Sequence, residues 1–221
     1  MSKKVGVLLS GCGFLDGSEI HEAVLTMLHL DRAGAQIVAI APRGPQAGVM
    51  NHATHEPVPG AKRDILEESA RIARGKIREL AEVRARDLDA LILPGGFGAA
   101  KNLSDFATKG AAAKVHPEVA RLLGEVLDAR KPIGAVCIAP ATLAAAAKQK
   151  GVHPTLTIGD DKSTAAALVQ LGAKHEACPV TGFVVDEANK IVSTPAYMYD
   201  ARISEVDQGV AKLVQAVLAM A

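Results

Sequence analysis

The chain has 221 residues and a nearly balanced charge, with 25 lysines and arginines, 24 aspartates and glutamates, and a formal net charge of +1. It contains two tyrosines, four phenylalanines and no tryptophan. The balanced charge and the few aromatic residues predict neither the positively charged surface nor the aromatic stacking surface of a nucleic-acid-binding protein. The apolar stretch at residues 5–9 is much shorter than a signal-peptide core or a membrane span. We therefore expect a cytoplasmic protein without nucleic-acid or membrane partners, folded as a single domain over residues 1–221.

The three cysteines are widely spaced and odd in number. They form neither a disulfide framework nor a paired zinc-ligand motif. We expect reduced thiols, with no metal and no cofactor.

Apolar runs typical of strands alternate along the chain with segments of helical period. The predicted strands are residues 5–9, 35–41, 88–93, the apolar run after Pro132, 156–158, 183–185 and 191–194. The predicted helices are residues 19–33, capped by Ser18, and 61–74, 117–129, 139–147, 163–171 and 204–219. Residues 43–60 are rich in Gly, Pro and His and predict a long loop with room for a short hairpin.

This alternation predicts an α/β fold of the doubly wound class, with a mainly parallel sheet, helices on both faces, and a small β hairpin at residues 183–194. In such folds the ligand crevice lies beyond the carboxyl ends of the strands. Three loops converge on that edge, at residues 10–13, 94–98 and 137–138. The glycine cluster at 95–98 lacks the features of a phosphate loop or a dinucleotide fingerprint, which leaves an oxyanion-type loop or a structural loop.

Cys137 lies where the predicted strand after Pro132 turns into the helix that starts at Ala139. The unpaired N–H groups and the dipole at a helix start favour a thiolate and can hold an anionic oxygen beside it. Two interpretations are open from this segment alone: a nucleophile, or a small buried cysteine that packs the end of a strand.

Two long motifs resemble the paired signature of the PfpI-like superfamily, relatives of the class I glutamine amidotransferase domains: residues 93–103 (LPGGFGAAKNL) and 135–143 (AVCIAPATL). Four further segments resemble the ElbB family more narrowly: residues 8–13 (LLSGCG), 16–24 (DGSEIHEAV), 51–52 (NH) and 194–198 (TPAYM). Together they extend over nearly the whole chain.

The resemblance implies a flavodoxin-like sandwich, a homodimer, and Cys137 as the nucleophile. It also implies that Glu22 is the acidic partner of the cysteine, with Glu19, one turn earlier, as the rival. The backbone amides of Gly96 and Ile138 match the positions that hold a developing oxyanion. A neutral carboxyl group beside a thiolate can donate a hydrogen bond to sulfur and then carry a proton. We accordingly expect a lowered thiol pKa and a protonated Glu22.

The chain departs from the superfamily pattern in one respect. Many members carry a histidine about one strand after the cysteine, which serves as a general base. Here residues 156–159 read Leu-Thr-Ile-Gly, and His153 precedes the expected position. His52 either folds over the site or stays on the surface.

Three further residues also have two interpretations. Cys12 is either a redox partner of Cys137 or simple packing, and Tyr197 and Thr194 either line the pocket or form a tight turn.

From the ElbB resemblance we expect a cofactor-independent glyoxalase, a lyase that converts glyoxal to glycolate through a hemithioacetal on Cys137. The same covalent step serves a protein deglycase. The substrate is expected to be a small aldehyde, because in this superfamily the glycine loop lies close to the elbow, the strand-to-helix turn that carries Cys137 here. The alternative of a different class is a cysteine-based redox sensor or small-molecule binding protein, and the missing histidine disfavours a hydrolase or amidotransferase.

Overall fold

The computed structural model describes residues 2–221. Its strands are β1 (Lys4–Leu8), β2 (Gln36–Ala41), β3 (Met50–Asn51), β4 (Glu56–Pro57), β5 (Arg78–Glu79), β6 (Ala90–Leu93), β7 (Ile133–Val136), β8 (Thr155–Leu156), β9 (Lys174–His175), β10 (Val184–Asp186) and β11 (Ile191–Thr194). Its α-helices are α1 (Ile20–Arg32), α2 (Ile65–Ile72), α3 (Phe97–Lys101), α4 (Phe106–Lys109), α5 (Pro117–Asp128), α6 (Ala139–Gln149), α7 (Lys162–Gln170) and α8 (Ile203–Met220).

Seven strands form one sheet in the order β10-β11-β7-β6-β1-β2-β5. Within residues 2–221, each neighbouring pair of this sheet is parallel except the β10–β11 hairpin at its edge. The central strands β6 and β7 are buried along their whole length, as parallel strands covered on both faces must be. Leu93 pairs with Ala135, so β6 and β7 end almost level and the loops that follow them are neighbours.

Helices cover both faces of the sheet. On one face, α3, α5, α6 and α7 bury an apolar cluster that includes Ala99, Leu122, Leu143 and Leu168. On the other face, α1, α2 and α8 bury a second cluster. The predicted doubly wound α/β architecture and the edge hairpin are therefore confirmed. None of the helices within residues 2–221 is long and apolar enough to cross a membrane.

The cap of α1 differs from the prediction. Glu19, not Ser18, is the N-cap, and its carboxylate accepts a hydrogen bond from the Glu22 N–H at 2.7 Å. The Ser18 hydroxyl instead accepts a hydrogen bond from the Ser10 N–H at 2.8 Å and ties the loop after β1 to the start of α1. The cap prediction was wrong because that serine is occupied by a contact between two loops.

Other differences concern element ends and short strands. The helix predicted over residues 61–74 begins only at Ile65, because the Asp64 side chain caps it. The long loop at 43–60 does contain a hairpin, formed by β3 and β4. No pattern in the sequence predicts the two-residue strands β5 and β9, whose pairing depends on distant partners.

Candidate active site

Cys137 lies directly after β7, in a sharp turn that leads into α6. Its backbone has a φ of +60°, a left-handed conformation that a non-glycine residue adopts at an energetic cost, and such strain is concentrated at functional sites. The Cys137 N–H donates to the Thr194 carbonyl at 2.9 Å, which fixes the turn against the end of β11. The turn aims the thiol at the sheet edge, where only 7% of the residue remains exposed.

Glu22, in the first turn of α1, is fully buried beside this thiol. The Gly95 N–H donates to Glu22 Oε2 at 2.9 Å, and the Tyr197 N–H donates to Oε1 at 3.3 Å. A Cβ on residue 95 would lie 2.5 Å from the Cys137 Cβ and 2.6 Å from Glu22 Oε2, so only glycine fits there. Four distant chain segments, at residues 22, 95, 137 and 197, thus meet around one cysteine and one carboxyl group.

Burial raises the pKa of Glu22 from 4.5 to about 8, and the neighbouring Glu19 adds to this rise. The carboxyl group is therefore mostly protonated at neutral pH, as expected. The pKa of the Cys137 thiol is also raised, well above its ordinary value, first by burial and then by the charge of Glu22. The expected lowering of the thiol pKa is wrong, because desolvation of the buried sulfur and the adjacent carboxylate together outweigh the backbone donors.

Those donors are the N–H groups of Gly96 and Ile138, which hydrogen-bond to the Cys137 sulfur and act to lower the pKa of the thiol. Gly96 has a φ of +87°, and a Cβ there would collide with the backbone of residues 17–19. The structure thus brings together the four residues singled out in the sequence: Cys137, Glu22, Gly96 and Ile138. The same two N–H groups are placed to stabilise an oxygen anion formed next to the sulfur.

Cys137 lies on the wall of a cavity of about 710 Å³. Its other lining residues are Phe14, Glu19, His21, Gly96, Phe97, Ile138, Asp161, Ser163, Thr164, Tyr197, Met198, Tyr199 and Asp200. This volume lies within the range of pockets that hold drug-sized ligands. It is larger than the expected small substrate needs, because α1, the start of α7 and residues 197–200 also contribute to its walls.

His21 is a cavity residue that the sequence reasoning missed. Its Nδ1 lies 2.8 Å from the Tyr197 hydroxyl oxygen and 4.0 Å from Glu19 Oε1, and its side chain is 53% exposed. The available signal was its position next to Glu22 in the DGSEIHEAV motif, which places it at the same end of α1. Glu19, the rival acid, lines the cavity but also caps the helix, so Glu22 is the carboxyl group in direct contact with Cys137.

The remaining candidates are placed differently. His153 is exposed and pairs with the Gly172 carbonyl, while His52 accepts a hydrogen bond from the Leu15 N–H at 3.2 Å; neither lines the cavity. Cys12 also lies outside it, among charged groups of residues 16, 63, 68 and 71. Thr194 is buried behind the elbow, where its hydroxyl donates to Gly182. Among residues 2–221, no group of His, Cys, Asp and Glu side chains is placed to hold a metal.

The sequence and the fold of this chain were compared with those of known proteins. The model of the DJ-1/PfpI family matches residues 7–194. The human protein named glutamine amidotransferase-like class 1 domain-containing protein 3, mitochondrial, is 46% identical over 97% of this chain and 82% of its own length. The rat ES1 protein homolog, mitochondrial, is also 46% identical, over 97% of this chain and 83% of its own length.

A crystal structure of an isoprenoid biosynthesis protein with amidotransferase-like domain, from Ehrlichia chaffeensis, superposes with a TM-score of 0.93 at 38% identity over 99% of both chains. These matches confirm the PfpI-like and ElbB-like resemblance and the flavodoxin-like fold.

The expected cytoplasmic location is wrong by the same comparison, because the human and rat relatives are named as mitochondrial proteins. That expectation depended on the shortness of the apolar stretch at residues 5–9. Such a test detects secretion signals and membrane spans, whereas import into mitochondria is directed by amphipathic, Arg-rich segments.

Proposed function

Because the chain belongs to the DJ-1/PfpI family, we propose that it is a cofactor-independent glyoxalase that converts glyoxal to glycolate through a hemithioacetal on Cys137. The observation that carries this proposal is the buried Cys137–Glu22 pair, with the Gly96 and Ile138 amides on the sulfur, at the wall of an open cavity. The family contains cysteine-based enzymes, and the pair supplies the two groups that covalent aldehyde chemistry requires.

The pair generates the nucleophile by sharing protons. With two interacting groups of raised pKa, the singly protonated pair has two forms, with the proton either on sulfur or on Glu22. In the second form the thiolate is held by the two backbone N–H groups and the carboxyl O–H. It attacks one aldehyde carbon of glyoxal, a C–S bond forms, and the Glu22 proton neutralises the new alkoxide.

The hemithioacetal then rearranges without any external oxidant. The hydrogen on the carbon attached to sulfur leaves as a proton and a proton is added to the neighbouring carbon, so that the first carbon is oxidised and the second reduced. The product is a glycolyl thioester, and water cleaves its C–S bond to give glycolate and the free thiol. Negative charge develops on oxygen in the addition and hydrolysis steps, where the Gly96 and Ile138 amides stabilise it.

A second candidate substrate follows from the cavity volume of about 710 Å³, which exceeds what a two-carbon dialdehyde occupies. A glyoxal adduct on an amino-acid side chain fits the same covalent step. Deglycase activity is therefore the second candidate function, and release of free amino acid from its glyoxal adduct measures it.

The alternative of a redox sensor is not favoured by any observation. Oxidation of a thiol depends on thiolate character and exposure. Cys137 is 7% exposed and its thiol pKa is raised by burial, so it lacks both properties in the resting protein.

The test is glycolate production from glyoxal by the purified protein and three variants. We expect Cys137→Ala to lose turnover completely and Glu22→Gln to lose at least ~10²-fold, the usual contribution of a general acid or base. Cys12→Ala is the matched control, because it removes a thiol outside the cavity, and it should keep the wild-type rate. Full turnover by Cys137→Ala would refute the proposal.

A further inference from the structure

His21 is placed to take part in the chemistry of the cavity. Of the seven histidines, all within the described residues 2–221, it is the one that lines the cavity with Cys137. Its side chain is 53% exposed, so it can exchange protons with solvent, whereas Glu22 is fully buried. The site therefore has a buried carboxyl group beside the sulfur and a solvent-accessible imidazole on the cavity wall.

The rearrangement of the hemithioacetal needs an acid–base group other than Glu22. Both Glu22 oxygens accept backbone hydrogen bonds, from Gly95 and Tyr197, and the carboxyl group interacts with the sulfur. Glu22 is thereby positioned to move the thiol proton. A second group must carry a proton from one substrate carbon to the next, and it must face the open cavity.

Building on the proposed function, we infer that His21 is the general base that removes the carbon-bound proton of the Cys137 hemithioacetal, with the Tyr197 hydroxyl as the coupled proton donor. This places a histidine from α1 in the role that the missing histidine after the elbow would fill.

The contacts of the ring define which nitrogen acts as the base. Glu19 Oε1, 4.0 Å from Nδ1, favours the tautomer that carries its proton on Nδ1. That N–H donates to the Tyr197 hydroxyl oxygen at 2.8 Å. Nε2 then keeps its lone pair, and it has no hydrogen-bond partner among residues 2–221. An unpaired basic nitrogen in a cavity is what proton abstraction requires.

Each proton that moves in this rearrangement has a donor and an acceptor among His21, Tyr197, the substrate and water. Nε2 takes the proton from the carbon attached to sulfur, and the electron pair of that C–H bond forms the C=C bond of an enediol. The neighbouring carbonyl oxygen takes the Tyr197 hydroxyl proton, which His21 Nδ1–H replaces. Nδ1 then takes a proton from solvent, and the imidazolium Nε2–H protonates the second carbon while the hydroxyl on the first carbon loses its proton to water as the thioester carbonyl forms.

Tyr197 suits the role of donor. Burial raises the pKa of its hydroxyl, and the charges of Glu19 and Glu22 raise it further, so the hydroxyl holds its proton until a substrate oxygen takes it. Its backbone N–H also contacts Glu22, which keeps the ring, the acid and the histidine on one side of the cavity.

The test compares His21→Gln and Tyr197→Phe with His153→Gln, a control that changes an exposed histidine outside the cavity. We expect His21→Gln to form glycolate at least ~10²-fold more slowly and Tyr197→Phe about five- to tenfold more slowly, with His153→Gln unchanged. Intact mass spectrometry of His21→Gln should show a glyoxal adduct accumulating on Cys137. With dideuterated glyoxal, the isotope effect on turnover should increase in His21→Gln, because C–H cleavage becomes fully rate-limiting.

A His21→Gln variant that keeps the wild-type rate, or that loses turnover without accumulating the adduct and without an increased isotope effect, would overturn the inference. A variant that is only partly folded loses rate with an unchanged isotope effect, so this readout separates a chemical role from a structural one. The proposed function has its own criterion, since it depends on the loss of turnover in Cys137→Ala. If that loss is observed and His21→Gln is normal, only the inference fails.

Discussion

Cys12 and Cys137 both lie in loops at the carboxyl edge of the sheet, after β1 and β7, yet only Cys137 lines the cavity. Cys12 is half-buried, and its thiol pKa is raised by burial and by a mixture of acidic and basic neighbours. Cys137 is almost fully buried, with one carboxyl group and two backbone donors directed at its sulfur. Neither greater exposure nor a lowered thiol pKa marks the cavity cysteine, because Cys137 is the more buried of the two and both thiol pKa values are raised. What distinguishes them is a second group that can share the proton.

The largest effect is expected from a substitution that disturbs the packing around Cys137. Gly95→Ala places a methyl carbon 2.5 Å from the Cys137 Cβ and 2.6 Å from Glu22 Oε2. We expect a loss of about 1–3 kcal/mol in the free energy of unfolding, and at least ~10²-fold in turnover because the reacting groups are displaced. Urea unfolding and glycolate production measure the two effects.

The matched control for Gly95→Ala is Gly48→Ala, since no atom lies within 4 Å of a Cβ at that position. It should stay within about 1 kcal/mol of the wild-type stability and keep its turnover. Equal behaviour of the two variants would show that the close approach at residue 95 is unimportant.

The next test uses the raised pKa of Glu22. A carboxyl group with a pKa of about 8 when folded, against 4.5 when unfolded, stabilises the fold fully below pH 4.5 and loses that contribution as the pH rises through 8. The loss is roughly 1.4 kcal/mol for each pH unit in between. Glu22→Gln should remove this dependence, so that the wild-type melting temperature falls by at least about 5 °C more between pH 5 and pH 9 than that of the variant.

Melting curves of Cys12→Ala over the same pH range provide the control, which should follow the wild type. Parallel curves for wild type and Glu22→Gln would mean that Glu22 is ionised in the folded protein at neutral pH.

A smaller effect is expected in thiol reactivity. The charge of Glu22 raises the pKa of the Cys137 thiol, so Glu22→Gln should lower that pKa and speed alkylation of Cys137 by iodoacetamide at pH 8. The rate at Cys12 should not change, because Glu22 is not among the groups that shift its pKa. Peptide mass spectrometry follows both cysteines in one sample, and a Cys137 rate that falls in the variant would contradict the proposed coupling.

The smallest effect concerns the backbone at the two cysteines. Cys137 has a φ of +60°, which glycine adopts without strain, so Cys137→Gly should be as stable as Cys137→Ala or more stable by up to about 1 kcal/mol. Cys12 is not in the left-handed region, and there the glycine variant should be the less stable of the two by a similar amount. Denaturant unfolding of the four variants checks this reversal.

The alternation of apolar runs and helical periods was sufficient to predict every strand of the main sheet except β5, the longer helices and the elbow, because each buried strand carries its own signal. Cys137 could be located in the same way, since the run before it and the helix after it are local patterns. Glu22 required the family resemblance, because nothing in α1 alone indicates that one carboxyl group is buried and another caps the helix.

Three features could not be predicted from the sequence. The thiol pKa depends on desolvation, which is a property of the assembled fold. The cavity volume is set by residues 197–200 and the start of α7, which reach the site only through long-range packing. His21 joins the site through a contact with Tyr197, 176 positions away.

The close packing around residues 95 and 96 restricts which substitutions the site tolerates. Added side chains at Gly95 or Gly96 would meet Cys137, Glu22 or the opposing backbone, so the geometry around the sulfur is fixed by main chain and resists gradual change. The cavity walls carry no such restriction, because Phe14, Phe97 and Tyr199 contribute side chains that can be exchanged for others. Substitutions in the cavity walls can therefore change the shape of the cavity while the surroundings of Cys137 stay the same.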